Sequence, residues 1–188
     1  MIIAGIDYSM TSPSICVFAG MNQEAFTFSK CKIYFLTDKK KYSGQFGHNI
    51  QGSNFNEYNQ ETERFTSIAD WAVDIISGVD QIALEGYAYG GTGRVFHIAE
   101  NTGILKYKIY KTGIPLGVYA PSAIKKFATG KGNADKELMY RSFVEETKID
   151  LLKMFDFKGR NIKNPISDVV DSYFVCKRLY DEYVTSSV

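Results

Sequence analysis

Two aspartates, Asp168 and Asp171, stand three residues apart in the mostly apolar stretch ISDVVDSYFV. On a helix this spacing puts both carboxylates on one face, about 60° apart, and Val175 and Leu179 continue that face as an apolar stripe. The carboxylates would therefore lie at the edge of a buried contact, where an unpaired charge is costly. Asp168 alone could instead complement the positive end of the helix dipole, but that explanation leaves Asp171 unexplained.

Two further acids end apolar stretches that are typical of strands. Asp7 closes IIAGID, and Glu85 closes QIALE. If these strands are neighbours in one sheet, both carboxylates leave it at the same edge, and the last helix can bring its two aspartates over that point. Crowding of this kind raises the energy of the ionised state unless divalent cations neutralise it, and oxygen-only ligands select hard ions such as Mg²⁺ or Mn²⁺.

The chemistry that follows from such a cluster is phosphodiester hydrolysis. Two ions roughly 3.5–4 Å apart can clamp a phosphodiester, with one lowering the pKa of the attacking water and the other steadying the leaving 3′ oxygen. The four acids therefore predict a site that binds two Mg²⁺ ions, with Mn²⁺ as a substitute.

The elements that must position these acids are indicated by the hydrophobic pattern. Three short strands, at 2–8, 14–19 and 31–36, are predicted to be antiparallel. A strand at 81–84, a helix at 95–110 and a strand at 114–119 form a crossover unit, which predicts a parallel pair. Further helices are predicted at 61–76, 121–127, 134–146 and 165–180. The pattern predicts a single α/β domain over residues 1–188, with a five-stranded mixed sheet flanked by helices.

The segment 38–60 is rich in glycine, asparagine, glutamine and serine. A structureless connection of this length is uncommon in a compact domain, so the segment is expected to be either functional or a mobile surface insert. Its DKKKY motif and four aromatic residues could supply cationic and stacking contacts to a nucleic acid. These aromatic residues are Tyr42, Phe46, Phe55 and Tyr58.

Charge and cysteine usage narrow the class of protein. The net charge is +1, but residues 1–100 carry 7 basic and 11 acidic side chains (−4), whereas residues 101–188 carry 15 and 10 (+5). This asymmetry favours a basic surface in the second half. Three scattered cysteines favour reduced thiols and an intracellular location, and neither a secretion signal nor a membrane-spanning run is expected.

The order and spacing of the acids resemble the RuvC family of Holliday-junction resolvases, which have the RNase H-like fold. The resemblance rests on Asp7 in GIDYS, Glu85 in ALEGY, and Asp168 and Asp171 in SDVVD. It implies a structure-selective endonuclease of bacterial or phage type. It also implies a homodimer that nicks two strands of a four-way DNA junction.

The stretch YAPSAIKKFATGKGNADKE is similar to the family's segment between the fifth strand and the following helix. By this match, Lys125 and Lys136 lie near the scissile phosphate, and Lys136 joins the catalytic set. Ammonium groups on either side of a glycine loop can reach phosphate oxygens, although such lysines can also form an ordinary solvated helix face. The DNA-binding residues implied are Lys125, Lys126, Lys131, Lys136, Tyr87 and Tyr89.

The sequence departs from the family at two places. The segment 38–60 is longer than the family's usual connection, and the aromatic that the family stacks on a junction base could be either Tyr87 or Tyr89. Three other functions stay open: an RNase H-like nuclease for RNA–DNA hybrids, a non-catalytic junction-binding protein, and an actin-like ATP-binding protein. The last needs a second phosphate-binding hairpin and a second domain that these 188 residues lack.

Overall fold

A computed structural model of the chain describes residues 1–20, 24–87 and 95–186. The strands are β1 (Ile2–Asp7), β2 (Ser14–Ala19), β3 (Cys31–Thr37), β4 (Gly44–Phe46), β5 (Ile50–Asn54), β6 (Gln81–Glu85) and β7 (Leu116–Tyr119). The helices are α1 (Glu61–Ile75), α2 (Val95–Thr112), α3 (Pro121–Thr129), α4 (Lys136–Thr147), α5 (Leu151–Met154) and α6 (Ile166–Ser186). Within these ranges, no helix has the length and apolar character needed to cross a membrane.

The strands form one mixed sheet in the order β4-β5-β3-β2-β1-β6-β7. The first three strands pair antiparallel, and β6 and β7 continue the sheet in parallel with β1, as the sequence predicts. Because β3 and β5 also run parallel to β1, five strands end at the same edge. We call this edge the carboxyl edge.

The predicted number of five strands is wrong, because the segment 38–60 contributes β4 and β5. β5 pairs parallel with β3, and β4 pairs antiparallel with β5. In the sequence IQGSN of β5 only Ile50 and Gly52 are buried, so the strand has no run of apolar side chains to reveal it. A Cβ on Gly52 would overlap the carbonyl oxygen of Tyr42 and would lie 2.5 Å from the ring of Phe35. The position of β5 in the sheet therefore depends on close backbone packing at Gly52 and not on an alternation of apolar side chains.

Two of the four aromatic residues in the segment 38–60 belong to the core. Tyr42 is buried, and the ring of Phe46 stacks on Phe155 with centroids 4.2 Å apart. The expectation that these two rings stack on nucleic acid is wrong, because both pack into the apolar core that covers β3 and β5. Phe55 is half-buried, and Tyr58 remains 45% exposed.

Helices cover both faces of the sheet. Residues of α1 and α2 form one apolar core with Ala4 and Ile6 of β1, whereas residues of α3 to α6 form a second core that includes Ile3. Since side chains alternate along a strand, Gly5 and Asp7 share the face of Ile3. Asp7 therefore ends β1 on the face that α6 covers.

α6 crosses β1 at Gly5 with almost no space between the two backbones. A Cβ on Gly5 would overlap the backbone nitrogen of Cys176 and would lie 2.5 Å from its Cα. Beside this crossing, the buried hydroxyls of Ser14 in β2 and Ser172 in α6 are hydrogen-bonded at 2.9 Å. The position of α6 over the carboxyl edge therefore depends on a missing side chain and one buried polar contact.

The crossing predicts the effect of adding one methyl group. Gly5→Ala should lower the free energy of unfolding by at least about 1–3 kcal/mol, because the new Cβ pushes against helix backbone that cannot rotate away. Gly103→Ala in α2 is the matched control, since a Cβ there meets no heavy atom within 4 Å. It should be neutral or stabilising by up to about 1 kcal/mol. Urea denaturation measures both changes, and equal stabilities would contradict a tight crossing.

Candidate metal centre

Asp7 and Glu85 are the last residues of adjacent parallel strands. Ile6 of β1 lies opposite Leu84 of β6, so the next residue of each strand places an acid at the carboxyl edge. Both acids line one cavity of about 450 Å³, together with Asp171. The two strand-end acids therefore meet at one edge, as the sequence predicts.

α6 brings its two aspartates to the same place. One carboxylate oxygen from each of Asp7, Asp168 and Asp171 lies within 4.8 Å of the other two. Asp168 is only 6% exposed and accepts a hydrogen bond from Ser167 Oγ at 3.2 Å. Its Oδ2 is buried and has no hydrogen-bond partner in the part of the chain that the structure describes. One buried carboxylate oxygen of the cluster is therefore left without a hydrogen-bond donor.

The four carboxyl groups hold their protons more tightly than acids in water do. Burial, followed by the neighbouring carboxylates, raises the pKa of Asp7 well above its usual range. Burial also raises the pKa of Asp168 to about 6, that of Glu85 to about 7 and that of Asp171 to about 8. A bound cation would oppose both causes, because it favours the ionised form of every acid around it.

These acids fit a hard divalent cation such as Mg²⁺. The donors are all carboxylate oxygens, and one of them is buried without a hydrogen-bond donor. Such oxygen sets suit Mg²⁺ or Mn²⁺ rather than ions that prefer nitrogen or sulfur. Asp7, Asp168 and Asp171 form the closest group, and Glu85 lines the same cavity outside that 4.8 Å group.

Lys136, the first residue of α4, reaches the acids from beside α6. Its Nζ donates to Asn164 Oδ1 at 3.2 Å and to Ser167 Oγ at 3.1 Å. Burial dominates the pKa of Asp168, and the charge of Lys136 opposes that rise. Lys136 is therefore held next to the acid cluster by two hydrogen bonds that do not use the carboxylates.

Lys125, in α3, lines the cavity that contains the acids. Burial raises the pKa of Glu85, and the charge of Lys125 opposes the rise. Lys126 and Lys131 are exposed, and neither lines this cavity. Of the four lysines implied by the resemblance, the structure thus brings Lys125 and Lys136 to the acids and leaves the other two on the surface.

Tyr87 also lines the acid cavity, and the Nζ of Lys106 lies 5.9 Å from the centroid of its ring. Tyr89, the other predicted stacking residue, lies outside the described residues.

Lys39 also lies near the acid cluster, although the sequence did not predict it there. Its Nζ donates to the carbonyl oxygen of Asn164 at 3.5 Å, across 125 residues of chain. Its charge also opposes the rise in the pKa of Asp168 that burial causes. The DKKKY motif indicated a cationic segment, but nothing in the sequence linked that segment to the last helix.

No protein-family model matches the sequence. Two curated proteins named crossover junction endodeoxyribonuclease RuvC match parts of it. The protein from Corynebacterium efficiens is 32% identical over 74 residues, which are 39% of this chain and 32% of that protein. The protein from Corynebacterium diphtheriae is 34% identical over 61 residues, which are 32% of this chain and 37% of that protein. The matched region therefore spans about a third of the length of each relative.

The solved structures extend the likeness to the whole described architecture. RuvC from Thermus thermophilus, in complex with a Holliday junction substrate, matches over 98% of this chain and 97% of that chain with a TM-score of 0.62 and 15% identity. The fold is that of the RuvC resolvases. In this chain the RuvC fold carries a seven-stranded sheet, and its carboxyl edge holds the acid cluster.

The raised pKa values predict how the stability of this RuvC-like chain depends on pH. In the metal-free protein, the free energy of unfolding should fall by a few kcal/mol between about pH 5 and pH 8, at roughly 1.4 kcal/mol per pKa unit. The sign follows because the folded state, with pKa values of about 6 to 8, binds more protons in this range than the unfolded state. Mg²⁺ should raise the melting temperature more at pH 8 than at pH 5, as differential scanning fluorimetry can measure.

Asp7→Asn removes one of the repelling charges and therefore tests whether crowded carboxylates cause the loss of stability at high pH. It should raise the metal-free melting temperature at pH 8, by about 2–4 °C per kcal/mol gained, and should reduce the rise caused by Mg²⁺. Asp181→Asn, on the exposed far part of α6, should change neither quantity. A melting temperature that is flat with pH, or lower in Asp7→Asn, would contradict the crowding of charges.

Proposed function

We propose that this chain is a metal-dependent endonuclease that cuts branched DNA, with the four-way junction as its substrate. The observation that carries the proposal is the convergence of Asp7, Asp168 and Asp171 at the carboxyl edge of a RuvC-type sheet. The names of the similar proteins support it. Two of them are called crossover junction endodeoxyribonucleases, and a third was solved with a Holliday junction substrate.

The metal would be Mg²⁺, with two ions per site and Mn²⁺ as a substitute. Asp7, Asp168 and Asp171 would hold the first ion, and Glu85 from the same cavity would join them in holding the second. Ions held by these acids would supply Lewis acidity to a water and to the leaving 3′ oxygen.

Lysines of the chain would position the scissile phosphate against the acids. Lys136 and Lys125 approach the cluster from different helices, α4 and α3, so two ammonium groups can bind different oxygens of one phosphate. Lys136 is already held by Asn164 and Ser167, and little reorganisation is then needed when DNA binds. We assign Lys136 a catalytic role and Lys125 a role in binding DNA.

The wider DNA surface would come from the second half of the chain, which carries the net charge of +5 derived above. Lys126 and Lys131 are exposed there and would contact phosphates farther from the cut. Tyr87, which lines the acid cavity, and Tyr89 remain the candidates for stacking on a base at the branch.

A homodimer is the assembly that suits a substrate with two equivalent strands. Phe96, Tyr107 and Tyr110 lie along one face of α2 and are 74%, 64% and 79% exposed. An exposed stripe of large side chains supports self-association through this helix. Two subunits related by a two-fold axis would present two acid clusters to one junction.

We also infer an intracellular location. Cys16, Cys31 and Cys176 are buried and free, which agrees with a reducing compartment.

The proposal predicts that each cluster acid is needed for cleavage. Asp7→Asn, Glu85→Gln, Asp168→Asn and Asp171→Asn should each lower Mg²⁺-dependent cleavage of a synthetic four-way junction more than about a hundredfold, since even outer-shell changes at metal sites cost about 10- to 100-fold. Junction binding should be largely kept. A time course with labelled strands measures the cleavage rate. Mapping the cut positions then shows whether two strands of like polarity are nicked, as expected for a two-fold symmetric dimer.

Asp181→Asn should cut like the wild type, because it makes the same chemical change on the exposed part of α6. An RNA–DNA hybrid and a plain duplex test the alternative substrates. Faster cleavage of the hybrid would favour an RNase H-like activity, and retained cleavage in two of the four variants would refute the assignment of the acids.

Lys136→Ala should slow the cut about tenfold or more at saturating Mg²⁺, because the phosphate loses a fixed positive charge. The slope of log Kd against log salt should become shallower by about 1 for the same variant. Lys111→Ala removes an equal charge at the far end of α2 and should leave both quantities unchanged. Equal effects of the two substitutions would mean that Lys136 acts only through the overall charge.

A further inference from the structure

A second cavity, of about 420 Å³, opens beside the acid cavity on the other side of the loop that follows β1. Thr11 of this loop lines both cavities. Thr37 and Asn54, which end β3 and β5, also line the second cavity, so it lies on the same carboxyl edge as the acids. We call it the β5 pocket.

The β5 pocket combines aromatic rings with cationic side chains. Lys40 and Arg64 line it together with Phe55 and Tyr58, and Asp38 is the single acid among its lining residues. The guanidinium of Arg64 lies 5.8 Å from the ring centroid of Phe55 and 5.2 Å from that of Tyr58. Tyr58 is 45% exposed, which leaves ring surface for a ligand. Rings beside cations are the combination by which proteins hold unpaired nucleotides.

Two links join the β5 pocket to the acid cluster. Arg64 Nη2 donates at 2.5 Å to the carbonyl oxygen of Met10, which lines the acid cavity. Lys39 and Lys40 are adjacent in sequence but serve different places, since Lys39 lies beside Asn164 near the acids while Lys40 lines the β5 pocket. Cationic side chains therefore lie both beside the acid cluster and in the β5 pocket.

The sheet sets the distance between the two cavities. The β5 pocket is lined by the ends of β3 and β5, which are two and three strands from β1, so at roughly 4.8 Å per strand it lies about 10–14 Å from the acids. Stacked bases rise about 3.4 Å each along a strand, and an extended strand covers more. A DNA strand that passes the acids would therefore reach the β5 pocket about two to four nucleotides from its cut.

We propose that the β5 pocket binds an unpaired nucleotide of the DNA strand that is cut, with the base against Tyr58 and a phosphate against Lys40 and Arg64. The inference rests on the proposed function, because it describes part of the same DNA path. A branched substrate suits it, since strands near a branch can leave the stack at little cost. The pocket is built largely by the segment 38–60 and α1, which gives this extension of the sheet a role in holding substrate.

The test places 2-aminopurine, one base at a time, at positions one to six nucleotides from the branch of a four-way junction. Binding is measured by fluorescence with Asp7→Asn as the parent, so that no strand is cut. Binding to the parent should change the fluorescence at one or two neighbouring positions, because the base there exchanges its neighbours in the DNA stack for the ring of Tyr58. Adding Tyr58→Ala should abolish this change and raise Kd about fivefold or more, whereas Tyr58→Phe should keep the fluorescence change and the Kd of the parent, because the stacking ring remains.

Tyr183→Ala is the matched control, since Tyr183 is 41% exposed but lies near the end of α6. It should leave the fluorescence change and Kd as they are in the parent. Lys40→Ala should make the salt dependence of binding shallower by about 1, whereas Lys111→Ala should not. Melting temperatures of all variants check that each one is folded.

The two proposals fail in different ways. If Tyr58→Ala shows the same fluorescence change and Kd as its parent, or if Tyr183→Ala loses as much, the β5 pocket does not hold a nucleotide, whether or not the wild type cuts junctions. If the wild type binds but does not cut with Mg²⁺, the nuclease proposal fails, while the fluorescence measurement still decides on the pocket. If the chain binds no DNA, both proposals are wrong.

Discussion

The gathering of four carboxylates at one poorly solvated edge of the sheet is the constraint on which the site depends: Asp168 is buried, and Asp7, Glu85 and Asp171 are half-buried. Asp7 and Glu85 reach the carboxyl edge because their strands end there, and α6 adds Asp168 and Asp171 above them. Burial raises all four pKa values, and neighbouring carboxylates add to the rise for Asp7, Glu85 and Asp171, so the metal-free site is unfavourable at neutral pH. Apolar packing of α6 against the sheet must hold these charges together, and a divalent cation bound among them would relieve the repulsion.

That packing works because one position has no side chain. At Gly5 the backbone of α6 comes so close to β1 that even a methyl group would overlap Cys176. The same closeness sets how far the first turns of α6 project over the end of β1. A constraint in the apolar core thus fixes the distances among polar groups at the edge of the sheet.

The direction of the strands explains why different chemical groups lie side by side. Five of the seven strands end at the carboxyl edge, so the residues that follow them form one continuous surface. Along it, a cavity with Tyr87 and Lys125 lies on one side of the acids, and the β5 pocket lies on the other. Cations flank the acids on both sides, which suits a polyanion that must cross a negatively charged centre.

Local patterns were enough to predict the three antiparallel strands, the crossover unit, the main helices and the four acids, because hydrophobic period and a charge at the end of an apolar run are visible within a few residues. They were not enough for β4 and β5, since Gly52 is required by its close contacts with Tyr42 and Phe35, which no hydrophobic period within the strand reveals. They also missed Lys39, whose neighbour Asn164 lies 125 residues away. Only the tertiary structure brings Lys39 to Asn164, because a contact between two segments far apart in the chain produces no hydrophobic period in either of them.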